Sequence, residues 1–280
     1  MSLSQALEIT VRLALEEDIG SGDVTTQYFG GAKGEIDARI ITREICVLAG
    51  VDAAVETFRQ VDSSLNVQVV QRDGAKLSPN TEVLKIHGSG ASILTGERVA
   101  LNFLQHLSGI ATLTNMFVEA VQGTKARILD TRKTMPGLRF LQKAAVQAGG
   151  GVNHRMGLYD MVMVKDNHLA PGYTSAFLQQ AIDTLKKEKP GIKVEFEADR
   201  IEQVQQFLNL RGLDRILLDN MSLAALSESV LLNAGRLELE ASGGVSLSSV
   251  RGIAETGVDF ISIGALTHSV PAVDLSMEFN

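Results

Sequence analysis

The sequence predicts an α/β protein, an incomplete parallel (β/α) barrel of about six strand–helix units preceded by an N-terminal α+β sandwich domain. Three observations carry this. Between Arg127 and Gly264 six short apolar runs each end on a polar residue or a glycine. They are Ile128-Leu129-Asp130-Thr131-Arg132-Lys133, Met161-Val162-Met163-Val164-Lys165, Val194-Glu195-Phe196-Glu197, Ile216-Leu217-Leu218-Asp219, Leu237 to Gly244, and Phe260-Ile261-Ser262-Ile263-Gly264. Helix-length segments fill the gaps between them, which makes the strands parallel. The residues before about 108 show no such repeat. The expected division is therefore a first domain at 1–108, joined by the tail 269–280, and a barrel at 109–268.

In chain order, Leu3, Leu7, Val11 and Leu15 recur at helical spacing and stop at Gly20-Ser21-Gly22, which reads as a loop and is followed by Asp23-Val24-Thr25-Thr26. Residues 34–48 are rich in isoleucine and alternate, indicating strands. Val51 to Val61 places Ala54, Val55 and Phe58 on one helical face. Val67–Gln71 and Val83–His87 are two further strands around the turn Ser78-Pro79-Asn80. A long helix from Thr95 or Gly96 to Val121 is expected to kink or break at Gly109. Helices over 138–148, 174–187, 201–210, 223–233 and 247–255 alternate with the six strands, and the tail after Val270 is expected to pack back on the first domain.

Composition narrows the function. A net charge of −7 argues against a general nucleic-acid or membrane-surface binder. The basic residues concentrate instead between Arg127 and Lys165, which suits a small anion. One cysteine, Cys46, excludes an intramolecular disulfide and fits a reducing cytoplasm; within Ile45-Cys46-Val47-Leu48 it reads as core. Met1 to Glu16 lacks the pattern of a signal peptide, and no apolar run is long enough to span a membrane. The five histidines show no metal-ligand spacing, so zinc is not expected.

In such barrels ligands bind where the carboxyl ends of the strands converge. Thr131, Arg132 and Lys133 follow the first strand, and an arginine fork matches a carboxylate or phosphate. Asn153-His154-Arg155 follows Gly149-Gly150-Gly151, where backbone amides can approach an anion. Lys165 ends a buried strand and needs a partner. Glu195 and Glu197 alternate with Val194 and Phe196 and therefore face the interior together, Glu195 as a structural partner for Lys165 and Glu197 nearer the mouth. Glu197 and Asp219 suit ribose hydroxyls, or Mg²⁺ held directly or through water. Ser242, Gly243 and Gly244, with Gly264 and Ala265, suit a phosphate after the last two strands. A solvated-loop reading stands beside Arg132 and Lys133, a structural salt bridge beside Lys165 and a structural role beside the pair Glu197 and Asp219, as does a Schiff-base role for Lys165 in a barrel aldolase.

These segments resemble the quinolinate phosphoribosyltransferases over nearly the whole chain. The resemblance rests on Glu16 to Thr25, Gly96 to Gln105, Leu107 to Thr112, Asp130 to Thr134 with Pro136-Gly137-Leu138-Arg139, Gly149 to Asp160, Lys165-Asp166-Asn167-His168 and Gly264 to Ser269. Met135 stands where the family commonly has threonine. A molybdenum-operon relative shares the glycine and His-Arg run but lacks Lys-Asp-Asn-His; that homologue and a non-catalytic anion-binding barrel are the alternatives. The resemblance implies transfer of phosphoribose from phosphoribosyl pyrophosphate to quinolinate with loss of CO₂, giving nicotinate mononucleotide in NAD biosynthesis, with Mg²⁺ and no organic cofactor. It implies that Arg98, Arg132, His154 and Arg155 bind quinolinate with Lys133 and Lys165 beside them. It also implies a homodimer, with a hexamer as a further assembly, in which Arg98 enters the partner's site. Lys133, Lys165, Glu197 and Asp219 are the expected catalytic groups.

Overall fold

The computed structural model describes residues 3–29, 34–169 and 172–279 and divides into two compact units. The first comprises Met1–Asn115, Lys133–Gly150 and Ala265–Asn280; the second comprises Met116–Arg132 and Gly151–Gly264. Residues 133–150 lie within the expected barrel segment in sequence and cluster with the first unit in space.

The first unit is built on an antiparallel sheet in the order Leu275–Phe279, Glu35–Thr42, Glu82–Ser89, Asn66–Val69. Its outer strand is the C-terminal tail, which does pack back as expected, with Ile40 opposite Met277. Ile40, Leu84 and Ile86 meet Phe58, Ile93 and Leu104 in one core. Phe58 is fully buried, a contribution of about 1.5–3 kcal/mol. It lies on the helix Val51–Val61, whose first amides are capped from outside the helix: Asp73 accepts from Gly50 and Val51, each at 3.0 Å.

One segment gains an element here and one expectation changes. The segment after Gly22 is a short helix, Val24–Phe29, because the Asp23 carboxylate accepts the Thr26 amide at 2.9 Å and so caps it. The long helix runs unbroken from Gly90 to Ala120. Gly109 serves close approach instead of a kink, since a Cβ there would sit 2.2 Å from the carbonyl oxygen of Pro271 in the returning tail.

The second unit carries six parallel strands in the order Arg127–Leu129, Phe260–Ser262, Glu238–Ser242, Arg215–Asp219, Lys193–Ala198, Met161–Val164. Every strand pairs with its neighbour in sequence except that the first pairs with the last and not with the second. That order is a ring with one seam, the incomplete barrel the sequence predicts. Along the seam Val152 makes a single parallel bridge to Leu129. Val194, Phe196 and Ala198 face outward, Phe196 meeting Phe207 of the helix Ile201–Phe207 edge to face at 5.2 Å. Odd-numbered residues of this strand therefore face the interior. Among the described residues no helix is long and apolar enough to cross a membrane.

Candidate active site

The inward residues of the second unit form layers along the barrel axis. At the carboxyl ends of the strands the Lys165 ammonium binds the Glu197 carboxylate directly. This corrects the pairing expected from sequence: the partner of Lys165 is Glu197, one layer above Glu195. The register explains it, because Met163 lies opposite Glu195 and Lys165 is two residues further up the same face. A turn of 3₁₀ helix, Asp166–His168, follows, and the His168 ring accepts the Lys165 amide at 2.9 Å.

One layer down, Glu195 and Glu240 are fully buried and face the ring of His154, whose Nε2 lies 3.1 Å from Glu195 and 3.3 Å from Glu240. Arg215 closes the layer from below. It donates to Glu240 at 2.8 Å and to Glu238 at 2.9 Å, and its guanidinium lies 4.0 Å from the Phe260 ring centre. Burial opposes ionisation of Glu240, yet His154, Arg215 and Ser262 hold its carboxyl below the usual range. Glu195 is pushed up to about 7, by burial first and by the charge of Glu240 second. For His154, burial disfavours the charged ring while the two glutamates favour it, a balance that on electrostatics alone raises it to about 9. The Arg155 amide, however, points its N–H at His154 Nδ1 from 2.7 Å, the only place where a second proton could sit. That contact favours the ring form whose proton is on Nε2, against the pull of the two glutamates toward the charged ring.

Arg155 crosses the seam, donating to the carbonyl of Met161 at 3.2 Å and to the Met163 sulfur at 3.6 Å. Burial, and then the nearby charge of Arg132, lower its guanidinium below the usual value. Two arginines held close enough to repel make a place where an anion is favoured. Asp219 accepts from its neighbour Asn220 at 2.8 Å. Asn220 has φ of 53° and lies against Gly243, where an added Cβ would be 2.2 Å from the Asn220 side-chain oxygen. Gly243 itself has φ of 99°, so both its conformation and its neighbour require glycine. The helix after it starts at Val250 instead of 247, with an exposed serine turn between: Ser249 Oγ accepts the Ser246 amide at 3.0 Å. The glycines thus lie on a free turn, while Gly264 directly precedes the short helix Ala265–His268.

Of the remaining predicted residues, Thr131 is half-buried in the second unit beside Arg132, while Lys133 and Arg98 belong to the first. Lys133 is exposed, and its loop is fixed: Thr267 donates to the Lys133 carbonyl at 2.8 Å, and Gln142 accepts the Met135 amide at 2.9 Å. Gln142 is fully buried and also donates to His106 Nε2 at 2.9 Å. Arg98 is exposed on the helix Gly90–Ala120. Sequence reasoning missed Glu240, Arg215, Asn220 and Gln142. For the first two a signal existed, since Arg215, Glu238 and Glu240 alternate inward as Glu195 does. Cys46 is buried as expected, and burial pushes its thiol up.

A parallel α/β barrel whose strand ends gather paired arginines, a lysine and carboxylates defines an enzyme for anionic substrates. A family model described as quinolinate phosphoribosyl transferase, N-terminal domain, matches residues 23–108, and its C-terminal counterpart matches 110–278. A mitochondrial quinolinate phosphoribosyltransferase [decarboxylating] of Nicotiana tabacum is 43% identical over 98% of this chain and 82% of its own. A nicotinate-nucleotide pyrophosphorylase [carboxylating] of Mycobacterium leprae is 41% identical over 96% of this chain and 95% of its own. Among solved structures, the nicotinate-nucleotide pyrophosphorylase from Francisella tularensis superposes with a TM-score of 0.92 at 38% identity, covering 99% of this chain and 96% of the other. The chain belongs to the quinolinate phosphoribosyltransferase family.

Proposed function

We propose that this chain transfers phosphoribose from phosphoribosyl pyrophosphate to quinolinate and releases CO₂, pyrophosphate and nicotinate mononucleotide, acting as a nicotinate-nucleotide diphosphorylase (carboxylating) in NAD biosynthesis. The observation that carries this is the pair Arg132 and Arg155, mutually repelling cations at the strand ends that a dianionic ligand would relieve. The family membership supplies the identity of that dianion.

In this reading the quinolinate ring nitrogen attacks the anomeric carbon as its bond to pyrophosphate breaks. Positive charge develops on the ribose, and the Glu197 and Asp219 carboxylates stabilise it. Lys165, tied to Glu197, holds that carboxylate in place and offers its remaining N–H groups to a substrate carboxylate. The new pyridinium then takes up the electron pair left when the C2 carboxylate departs as CO₂, and the carbon gains a proton. Binding by arginine must orient the leaving carboxylate without stabilising it too far, which the already engaged guanidinium of Arg155 allows.

Glu197 and Asp219 are hard oxygen donors, each with one carboxylate oxygen engaged by the protein, and so fit Mg²⁺ directly or through water. The ion, when bound, would neutralise charge on the leaving pyrophosphate. The 5′-phosphate is assigned to Ser242-Gly243-Gly244 and Gly264-Ala265, supported by the exposed turn at Gly243 and Gly244. A homodimer with Arg98 completing the partner's site, and the cytoplasm as compartment, complete the reading. The first is supported by the exposure of Arg98, the second by the free thiol of Cys46. The Nicotiana tabacum relative is named as mitochondrial.

Quinolinate labelled in its C2 carboxylate tests the activity. Labelled CO₂ should appear only when phosphoribosyl pyrophosphate is present. A protein that binds quinolinate but releases no label in its presence would be an anion-binding barrel instead.

A further inference from the structure

The strands Arg215–Asp219 and Glu238–Ser242 run side by side and end together, Asp219 lying opposite Ser242. In the reading above the first ends on a carboxylate for ribose, and the second leads into a turn for the 5′-phosphate. A phosphoribosyl group joins those two ends through covalent bonds, so its span is nearly fixed. The protein has to match that span, and the match depends on what links Asp219 to Gly243.

Asn220 is that link. Its backbone amide donates to the Ser242 carbonyl at 2.8 Å and carries the strand pairing one residue further. Its side-chain Nδ2 donates to Asp219 Oδ2, also at 2.8 Å. A carboxylate accepts only from a donor, so the NH₂ end faces Asp219. The rest of the amide lies against Gly243 and fills the space a side chain there would take. A Cβ on Gly243 would come within 2.2 Å of Asn220 Oδ1, 2.5 Å of its Cγ and 2.9 Å of its Nδ2. One planar amide is thus wedged between the carboxylate and the glycine turn, bonded to the first and packed on the second.

A plainer use for Asn220 is its backbone. Its φ of 53° is left-handed, and asparagine tolerates that region better than most residues. The turn accounts for the φ but not for the placement of the side chain. Glycine would take the same φ with less strain, and aspartate would take it about as well as asparagine. Neither can donate to Asp219. The two roles therefore separate by substitution.

We propose that Asn220 is a positioning residue for the phosphoribosyl group. Its side-chain amide sets the spacing between the Asp219 carboxylate and the Gly243–Gly244 turn, so that ribose hydroxyls and 5′-phosphate are met together. The proposal rests on the phosphoribosyl reading of this site and adds one residue to it.

Calorimetry with two small probes tests it. Ribose 5-phosphate carries both ends of the group without pyrophosphate, and inorganic phosphate carries one. Asn220→Gly, which keeps the left-handed backbone, should weaken ribose 5-phosphate about 10- to 100-fold, the cost of misplacing one binding group against another. Inorganic phosphate, which needs only the turn, should change by less than about threefold. Asn220→Asp should fall with Asn220→Gly, since it sets a second carboxylate beside Asp219. In both variants the KM for phosphoribosyl pyrophosphate should rise in step, while quinolinate affinity without phosphoribosyl pyrophosphate stays within about twofold of wild type. On an Asp219→Ala background Asn220→Gly should add less than about twofold to the loss of ribose 5-phosphate, because the group being spaced is gone.

Ribose 5-phosphate bound by Asn220→Gly as tightly as by wild type would overturn the proposal and reduce the residue to its turn. Equal losses for the two probes would overturn it by confining Asn220 to the phosphate turn. Losses that multiply with Asp219→Ala would do so by making Asn220 a direct contact. Binding of ribose 5-phosphate needs no turnover. A wild type that binds it but releases no CO₂ would lose the assigned reaction while the link is still decided by these affinities. A wild type that does not bind it would overturn the phosphate assignment and the link together.

Discussion

The Lys165 ammonium and the Glu197 carboxylate are bonded to each other at the carboxyl ends of neighbouring strands, with the lysine half exposed and the glutamate largely covered. Each holds the other in position before substrate arrives. Lys165→Ala should therefore disturb both quinolinate binding and the carboxylate that stabilises the ribose charge, lowering kcat/KM by roughly 2–4 kcal/mol, or about 30- to 1000-fold. Glu197→Gln should lower kcat more than it raises the KM for quinolinate. Steady-state kinetics decide this; a Lys165→Ala protein with kcat/KM within threefold of wild type would remove the lysine from the mechanism.

Arg132→Ala and Arg155→Ala should weaken quinolinate far more than phosphoribosyl pyrophosphate. The motive is the charge of Arg132 beside Arg155, which Glu195 and Asp160 offset in part and a bound anion would offset further. Loss of one charge-assisted contact should cost roughly 2–4 kcal/mol in quinolinate affinity by calorimetry. Equal losses for both ligands would mean that these arginines do not discriminate between them.

Much of this was legible in the sequence. Alternation in Val194 to Glu197 announced two inward carboxylates, and the strands came from apolar runs whose ends changed character abruptly. The pairing of Lys165 was not legible, since it depends on the relative stagger of two strands and a shift of one layer exchanges Glu195 for Glu197. The approach of Glu195 and Glu240 to His154 was hidden for a similar reason, since the two glutamates lie on strands that are not neighbours in the sheet. Gly109 misled because a glycine admitting a carbonyl from the distant tail reads, locally, like a helix breaker.

Gly243→Val should destabilise the second unit as well as raise the KM for phosphoribosyl pyrophosphate. The residue has a positive φ and its Cβ would meet Asn220. Strain of this kind costs on the order of 1–3 kcal/mol, so the melting temperature should fall by several degrees. Adding Asn220→Ala should recover part of the stability, because it removes the collision but not the φ. A Gly243→Val protein with unaltered melting and kinetics would place the phosphate elsewhere.

His106 gives the first unit a pH dependence. Burial lowers its ring from the ordinary 6.5, and its Nε2 accepts from Gln142, so the fold prefers the neutral ring. Its stabilisation is fully present above about pH 6.5 and is lost as pH falls through the lower folded value. Melting followed at about pH 7.5 and about pH 5.5 should show a smaller drop for His106→Gln than for wild type. Identical drops would mean that protonation of His106 is not opposed by the fold.

Mixing Arg98→Ala with Lys165→Ala protein, each inactive alone, tests the shared site. In a mixed dimer one site regains both residues, so random exchange should restore about a quarter of wild-type activity. Mixed dimers verified by mass spectrometry but still inactive would place Arg98 outside the partner's site.

The most direct measurement of the assigned reaction follows all products in one vessel, with quinolinate, phosphoribosyl pyrophosphate and Mg²⁺ supplied to the purified protein. Nicotinate mononucleotide, pyrophosphate and CO₂ should form in equal amounts, and omission of phosphoribosyl pyrophosphate should abolish all three. CO₂ formed without pyrophosphate, or pyrophosphate without nicotinate mononucleotide, would contradict the coupling of phosphoribosyl transfer to decarboxylation in this barrel.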